Sequence, residues 1–140
     1  MRKRTAELAT SEERFRMMAE AIQDVFWMST PGIEKIIYVS PGYEKVWGRS
    51  RDSLYESPRS FIDAVHPDDV ERVAAALAEH AEGHWNLEYR IIKPDGTVRW
   101  ILDRGFPIRD EEGSLYAITG LATDITQIKQ MENSLREQAS

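Results

Sequence analysis

The chain has 140 residues, of which 41% are hydrophobic, enough to build one core. Its 24 acidic side chains outnumber 18 basic ones, and a net charge of −6 repels phosphate backbones and anionic lipid heads, which argues against nucleic acid or a membrane surface as partner. The absence of cysteine excludes disulfides, thiolate metal sites and cysteine nucleophiles, and makes a reducing, cytoplasmic setting the simpler expectation.

Met1-Arg2-Lys3-Arg4 leads into Thr5-Ala6-Glu7-Leu8 rather than an apolar stretch, unlike a signal peptide. No apolar run approaches the ~20 residues that span a bilayer. Residues 2–23 read as helix, with Leu8, Phe15 and Ile22 seven apart and Met18 between, a narrow coiled-coil stripe. Residues 25–30 turn extended, Pro31-Gly32 breaks the run, and residues 35–40 form a second strand rich in β-branched and aromatic residues, giving a hairpin. Tyr43 to Trp47 is about one helical turn capped by Gly48, and Ser50 caps another through Leu54.

A short helix over 60–65 stops at His66-Pro67, and Pro67-Asp68-Asp69 signals a new helix start. That helix carries Val70, Val73, Ala74, Leu77 and Ala81 on one face and ends by Gly83. Strands over 85–93, 98–108 and 115–123 follow, linked by Pro94-Asp95-Gly96 and by Asp110-Glu111-Glu112-Gly113. From Ile125 to Ala139 the pattern returns to helix, and Ile128, Met131 and Leu135 repeat the narrow seam. The expected division is a linker helix over 1–22, a domain over 23–126 and an output helix over 127–140.

The order of these elements, and the words within them, resemble the PAS family with its PAC half. The carriers are Ser11-Glu12-Glu13-Arg14-Phe15-Arg16, Val25-Phe26-Trp27-Met28-Ser29, Ile37-Tyr38-Val39-Ser40-Pro41-Gly42-Tyr43-Glu44 with Trp47-Gly48-Arg49-Ser50, and His66-Pro67-Asp68-Asp69. Glu88-Tyr89-Arg90-Ile91, Pro94-Asp95-Gly96, Val98-Arg99-Trp100 and Gly120-Leu121-Ala122-Thr123-Asp124-Ile125-Thr126 complete the set. The resemblance covers Ser11 to about Gln127. It implies an α+β fold: a five-stranded antiparallel sheet with short helices on one face, flanked by amphipathic helices and enclosing a pocket for a small ligand. It also implies a non-catalytic sensor, a homodimer formed through the flanking helices, and a covalently attached effector such as a histidine kinase or diguanylate cyclase. Where the family often has Asn, this chain has Ser40, which caps the next helix equally well but offers no amide to a ligand.

Two cofactors that the resemblance suggests meet obstacles. Flavin adduct chemistry needs a cysteine, and the glutamine of light-sensing members aligns with Ala122. Haem needs an axial ligand. His66 sits at a helix start and His84 in a turn, while His80 falls seven residues after Val73, roughly on the apolar face of its helix. Haem-binding members place their ligand nearer Ala74, and a histidine in a last helical turn also complements the helix dipole. Neither Asp68-Asp69, explained by a helix N-terminus, nor Asp110-Glu111-Glu112, explained by a solvated turn, forms a protonation pair.

A small-molecule cavity is the remaining candidate. Strand alternation puts Leu87, Tyr89 and Ile91 on one face, with Ile101, Asp103 and Gly105, and Ile118 and Ala122, on the matching faces of the next strands. Trp27, Ser29, Tyr43, Phe61, Val73 and Leu77 would close the space against them. The alternative is a filled core and a purely dimerising relay. Asp103 facing inward must be paired, hydrated or used, and Arg99 is the expected partner, with a cationic ligand as the alternative. Asp124, with Thr126, stands where the last strand becomes the output helix. It is expected to pair with Arg104 or Arg90, or else to cap the helix.

Overall fold

The computed structural model describes residues 13–14, 24–80 and 84–139. Five strands, β1 (Val25–Ser29), β2 (Ile36–Val39), β3 (Trp85–Ile92), β4 (Val98–Arg109) and β5 (Leu115–Asp124), form one antiparallel sheet in the order β2-β1-β5-β4-β3. Between β2 and β3 lie α1 (Gly42–Trp47), α2 (Arg51–Glu56), a 3-10 stretch (Pro58–Ala64) and α3 (Val70–Glu79); α4 (Thr126–Ala139) follows β5. The expected N-terminal seam (Leu8, Phe15, Ile22) and Ala81 and Gly83 fall outside the described residues.

Turn chemistry sets the hairpins. The β1–β2 connection is a single 3-10 turn, Pro31–Ile33, closed by the Thr30 N–H donating to the Lys35 carbonyl at 2.9 Å. In the β3–β4 turn the Asp95 carboxylate accepts the Thr97 N–H at 2.9 Å, an Asx turn that fixes the register Ile92↔Val98. Gly48 ends α1 at φ 72°, donating its N–H to the Glu44 carbonyl. A Cβ there would also sit 3.0 Å from the Pro94 ring. Ser50 caps α2 as expected, accepting the Ser53 N–H.

The helical segment between β2 and β3 packs on the sheet face that carries Val25, Trp27, Ile91, Ile101, Ile118 and Ala122, all buried with Tyr43, Trp47, Leu54 and Val73. Each such large side chain contributes roughly 1.5–3 kcal/mol by leaving water. The indole of Trp27 lies across Gly120, its register partner. A Cβ on Gly120 would fall 2.3 Å from that ring. Glycine there leaves room for the Trp27 ring, which stacks on Trp85 with centroids 5.6 Å apart and planes 10° apart.

Each sheet edge is engaged at one end by a contact from the helical segment, which limits unwanted pairing there. At the β2 edge the Val39 N–H donates to the Tyr55 hydroxyl at 3.0 Å. At the β3 edge Val65 bridges to Ile91, and the Asp69 carboxylate takes both the Arg90 N–H (2.8 Å) and its guanidinium (2.8 and 3.1 Å). The sequence assigns Asp69 to the start of α3, yet it makes no cap bond there, because the stronger guanidinium fork captures it. Its carboxyl is held below the usual range, chiefly by the hydrogen bond from Arg90.

Three further expectations need correction. The Ser40 hydroxyl does not cap α1: it accepts the Phe26 N–H at 2.9 Å and donates to the Asp24 carbonyl, tying β2 to β1 instead. The short helix expected over 60–65 is a longer 3-10 stretch beginning at Pro58. His80 is exposed rather than on the apolar face. The helix ends at Glu79 and His80 leaves helical geometry (φ −113°, ψ 48°), so its seven-residue spacing from Val73 no longer fixes its direction.

Candidate functional site

Between the sheet and the short helices lies a cavity of about 40 Å³, walled by Val25, Trp27, Ile33, Tyr43, Phe61, Trp85, Asp103 and Ala122 among others. Of the residues expected to line it, Trp27, Tyr43, Phe61, Asp103 and Ala122 do so. Leu77 and Ile118 instead border a neighbouring space of about 190 Å³, together with Ala74 and Ala78. Val73, Tyr89, Ile91 and Ile101 are fully buried core, and so is Ser29, whose hydroxyl has no hydrogen-bond partner among the described residues. Ile33 and Trp85 border both spaces. Ile33 holds a positive φ of 53°, a strained conformation for a β-branched residue.

Asp103 is the chemical centre of the cavity, only 7% exposed. Its register partner is Leu87, so Trp85 and Tyr89 are its two diagonal neighbours on the same face. Both donate to it: the Tyr89 hydroxyl to Oδ2 at 2.7 Å and the Trp85 indole to Oδ1 at 3.3 Å. Burial pushes the carboxyl above its ordinary value, against the lowering effect of the Tyr89, Trp85 and Trp27 donors. The Tyr89 hydroxyl is driven well above its own ordinary value, first by burial and then by the adjacent carboxylate. The expected partner Arg99 does not reach Asp103. Four residues apart along one strand is roughly 13 Å.

The Tyr43 hydroxyl is a second polar atom in the wall. It is buried without a hydrogen-bond partner among the described residues, and burial raises it to about 12. The Tyr43 and Trp47 rings stack at 5.2 Å. The cavity is therefore an aromatic box containing one carboxylate and one unengaged phenol. Trp85 is not among the residues that the sequence singles out, although the alternation that selects Leu87 and Tyr89 extends to it. His66 sits outside this box, its Nδ1 accepting the Asp68 N–H at 3.1 Å, and His84 is exposed beside Phe106.

A family model described as the PAS fold matches residues 36–122. The chain belongs to the PAS family. A similar curated protein is a methyl sulfide methyltransferase-associated sensor of Methanosarcina acetivorans, 28% identical over 137 residues, which cover 95% of this chain and 14% of that sensor. The chain thus spans a small part of the curated sensors it matches. Among solved structures, a sensory box histidine kinase/response regulator from Burkholderia thailandensis is 30% identical with a TM-score of 0.64, covering 90% of this chain and 95% of that one. The N-terminal domain of a diguanylate cyclase with PAS/PAC sensor from Marinobacter aquaeolei is 26% identical with a TM-score of 0.67, covering 76% and 98%. This is a PAS sensor domain, related to those of larger signalling proteins.

The PAS sheet ends in a polar junction below the cavity. Asp124 pairs with Arg99, whose Nε donates to Oδ2 at 2.7 Å, rather than with Arg104 or Arg90. Asp124 is the register partner of Ile101, so its side chain shares a face with Arg99, while Arg104 and Arg90 point the other way. The capping alternative holds at the same time: Asp124 Oδ1 accepts the Thr126 N–H at 3.0 Å and its hydroxyl at 2.6 Å. Burial would raise the Asp124 carboxyl, but Arg99 and Thr126 together hold it below its ordinary value. Thr126 Oγ1 in turn accepts the Trp100 N–H at 2.9 Å, and the Trp100 carbonyl accepts the Ile125 N–H. Trp100 lies 5.3 Å from the Arg90 guanidinium and 4.9 Å from Lys129 Nζ. Lys129 is also bound to Glu88 at 2.8 Å. Of this junction, the sequence singles out Asp124 and Thr126 as relay residues, names Arg90 and Arg99 for other pairings, and gives no role to Trp100 or Lys129. Beyond it, α4 leaves Ile128, Met131 and Leu135 at 55%, 66% and 64% exposure. No helix among the described residues is long and apolar enough to cross a membrane.

Proposed function

We propose that this PAS domain is a non-catalytic sensor that holds a small ligand in the Asp103 cavity and passes its occupancy to α4, and from there to a covalently attached effector. One observation carries the reading: the strands that wall the cavity are the strands that hold the helix. On β4, Asp103 lies in the cavity and Arg99 and Trp100 lie at the junction; on β5, Ala122 lies in the wall and Asp124 two residues further on. A group seated against Asp103 and Ala122 would shift the register pair Asp103↔Ala122 and with it the angle at which Asp124 and Thr126 launch the helix. The exposed stripe of α4 supports a second role, self-association through Ile128, Met131 and Leu135, which would make the helix the shared output of a homodimer. The domain boundaries that fit this reading are 23–126 for the sensor and 127–140 for the signalling helix.

Ala122→Val places two methyl groups into the cavity and imitates occupancy. Hydrogen exchange of residues 126–139 should change severalfold in this variant, while the protection of β1 stays constant. Unchanged exchange in α4, with the fold intact, would refute the relay.

A further inference from the structure

Resting on the ligand-site reading, we infer that the cavity takes a small organic cation, an alkylammonium head group seated between Asp103 and the aromatic rings. The Asp103 carboxylate is buried with three neutral donors at most, from Tyr89, Trp85 and Trp27. The nearest basic side chain on its own strand face, Arg99, is engaged by Asp124. A carboxylate in that position is balanced by taking up a proton or by receiving a cation. Desolvation of a lone anion is expensive, and a paired one is far less so.

The rest of the wall discriminates among ligands. Trp27, Trp85, Tyr43 and Trp47 line the same space, and an electron-rich aromatic wall favours a cation over an anion. A carboxylate or phosphate ligand would meet Asp103 without a compensating charge. A neutral alcohol would satisfy the Tyr43 hydroxyl but leave the carboxyl unbalanced. An ammonium N–H donates to Asp103, its charge lies against the rings, and a second N–H is free to reach the unpartnered Tyr43 oxygen.

Size sets the reach of the ligand. The inner space of about 40 Å³ suits a head group of a few heavy atoms. The space beyond Ile33 and Trp85, about 190 Å³ and bordered by Ala74, Leu77, Ala78 and Ile118, suits a short apolar tail. The strained backbone of Ile33 marks it as the residue that would give way to join the two.

The test uses three three-carbon probes of different charge: n-propylammonium, n-propanol and propionate. Each is titrated into the whole 140-residue chain while the indole N–H resonances of Trp27 and Trp85 are followed by NMR. Propylammonium should shift both saturably at concentrations where the other two do nothing. Its affinity should rise with pH as Asp103 gives up its proton, and isothermal titration in buffers of different ionisation enthalpy should report that proton's release. Asp103→Asn keeps the shape and should weaken binding on the order of 30-fold or more, as expected for removing one partner of a buried charge pair. Equal responses to propanol or propionate would overturn the cationic class and leave the ligand-site reading standing. No response to any of the three also overturns it, whether or not the Asn variant folds. The relay is judged separately by Ala122→Val.

Discussion

Asp124→Ala tests the junction most directly. The substitution removes a 2.7 Å charge-assisted bond to Arg99 and an Asx turn that engages both the N–H and the hydroxyl of Thr126. A hydrogen bond to a charged group at a partly buried site contributes about 1.5–3 kcal/mol, and loss of a helix-start acceptor costs about 1 kcal/mol. Some of the sum is recovered because the freed Arg99 is a third exposed and can be hydrated. The net loss at the helix start is then about 2–3 kcal/mol. Helix α4 has 14 residues and carries an exposed apolar stripe, so it has little stability of its own. The loss should therefore appear as undocking of the helix rather than as unfolding of the sheet. Native-state hydrogen exchange of residues 126–139 should accelerate roughly 30- to 150-fold, while Tyr89, Ile101 and Ile118 keep their protection. An Arg99→Ala, Asp124→Ala double-mutant cycle should return a coupling of at least about 1 kcal/mol. Exchange in α4 equal to that of the parent, or an acceleration shared equally by the whole sheet, would refute the claim that this triad holds the helix.

Gly120→Ala should destabilise the domain by roughly 2–3 kcal/mol, read from the urea midpoint, because its Cβ collides with the Trp27 ring and the Arg104 carbonyl; replacing Trp27 by Leu at the same time should recover part of the loss. Asp69→Ala should cost roughly 3 kcal/mol by stranding the Arg90 guanidinium and backbone N–H at the β3 edge. The Asp69 carboxyl is held low in the folded state, so its contribution is complete above the ordinary carboxylate range and lost as pH falls through the folded value; thermal melts should show Asp69→Ala losing less on acidification than the parent. Asp103 has the opposite sign. Its raised carboxyl binds its proton more tightly when folded, so stability declines as pH rises from the unfolded value to the folded one, and Asp103→Asn should flatten that decline in melting temperature. Met131→Glu with Leu135→Glu should weaken self-association in sedimentation velocity while leaving the circular dichroism of the sheet unchanged.

The parts of this domain that follow a period are legible in the sequence, and the parts that depend on partner choice are not. Strand positions, the two turns containing Asp-Gly and Glu-Gly, the Gly48 cap and the inward set on β3, β4 and β5 all derive from local rules, and they hold to within one or two residues. Asp103 is legible as an inward carboxylate for the same reason. Its partners are not, because a tyrosine two residues from the facing position and a tryptophan two residues the other way become visible only when the β3–β4 register is known. The junction pair lies between these cases. Alternation along β4 puts Arg99 and Arg104 on opposite faces, but only the register Ile101↔Asp124 shows that Asp124 shares the face of Arg99 rather than that of the expected Arg104 or Arg90.

Asp69 shows the opposite limit. Nothing local distinguishes a carboxylate that starts a helix from one that closes a sheet edge, since both sit in the same Pro-Asp-Asp words. The choice is decided by the energy of the alternatives. A capping acceptor takes one or two neutral N–H groups, whereas Arg90 offers a charged two-pronged fork and a backbone N–H that would otherwise be left bare at the edge of β3. The same contest decides Asp124, where Arg99 is within reach and the cap bonds use the second oxygen, so both are kept. Asp103 has no such competitor. It is the one buried carboxylate among these three to which no arginine comes, and it is also the one that faces a cavity. Two acidic residues hold an edge and a helix in place. The third is buried against the cavity with only neutral donors around it, which is why the ligand proposed for this domain is sought there.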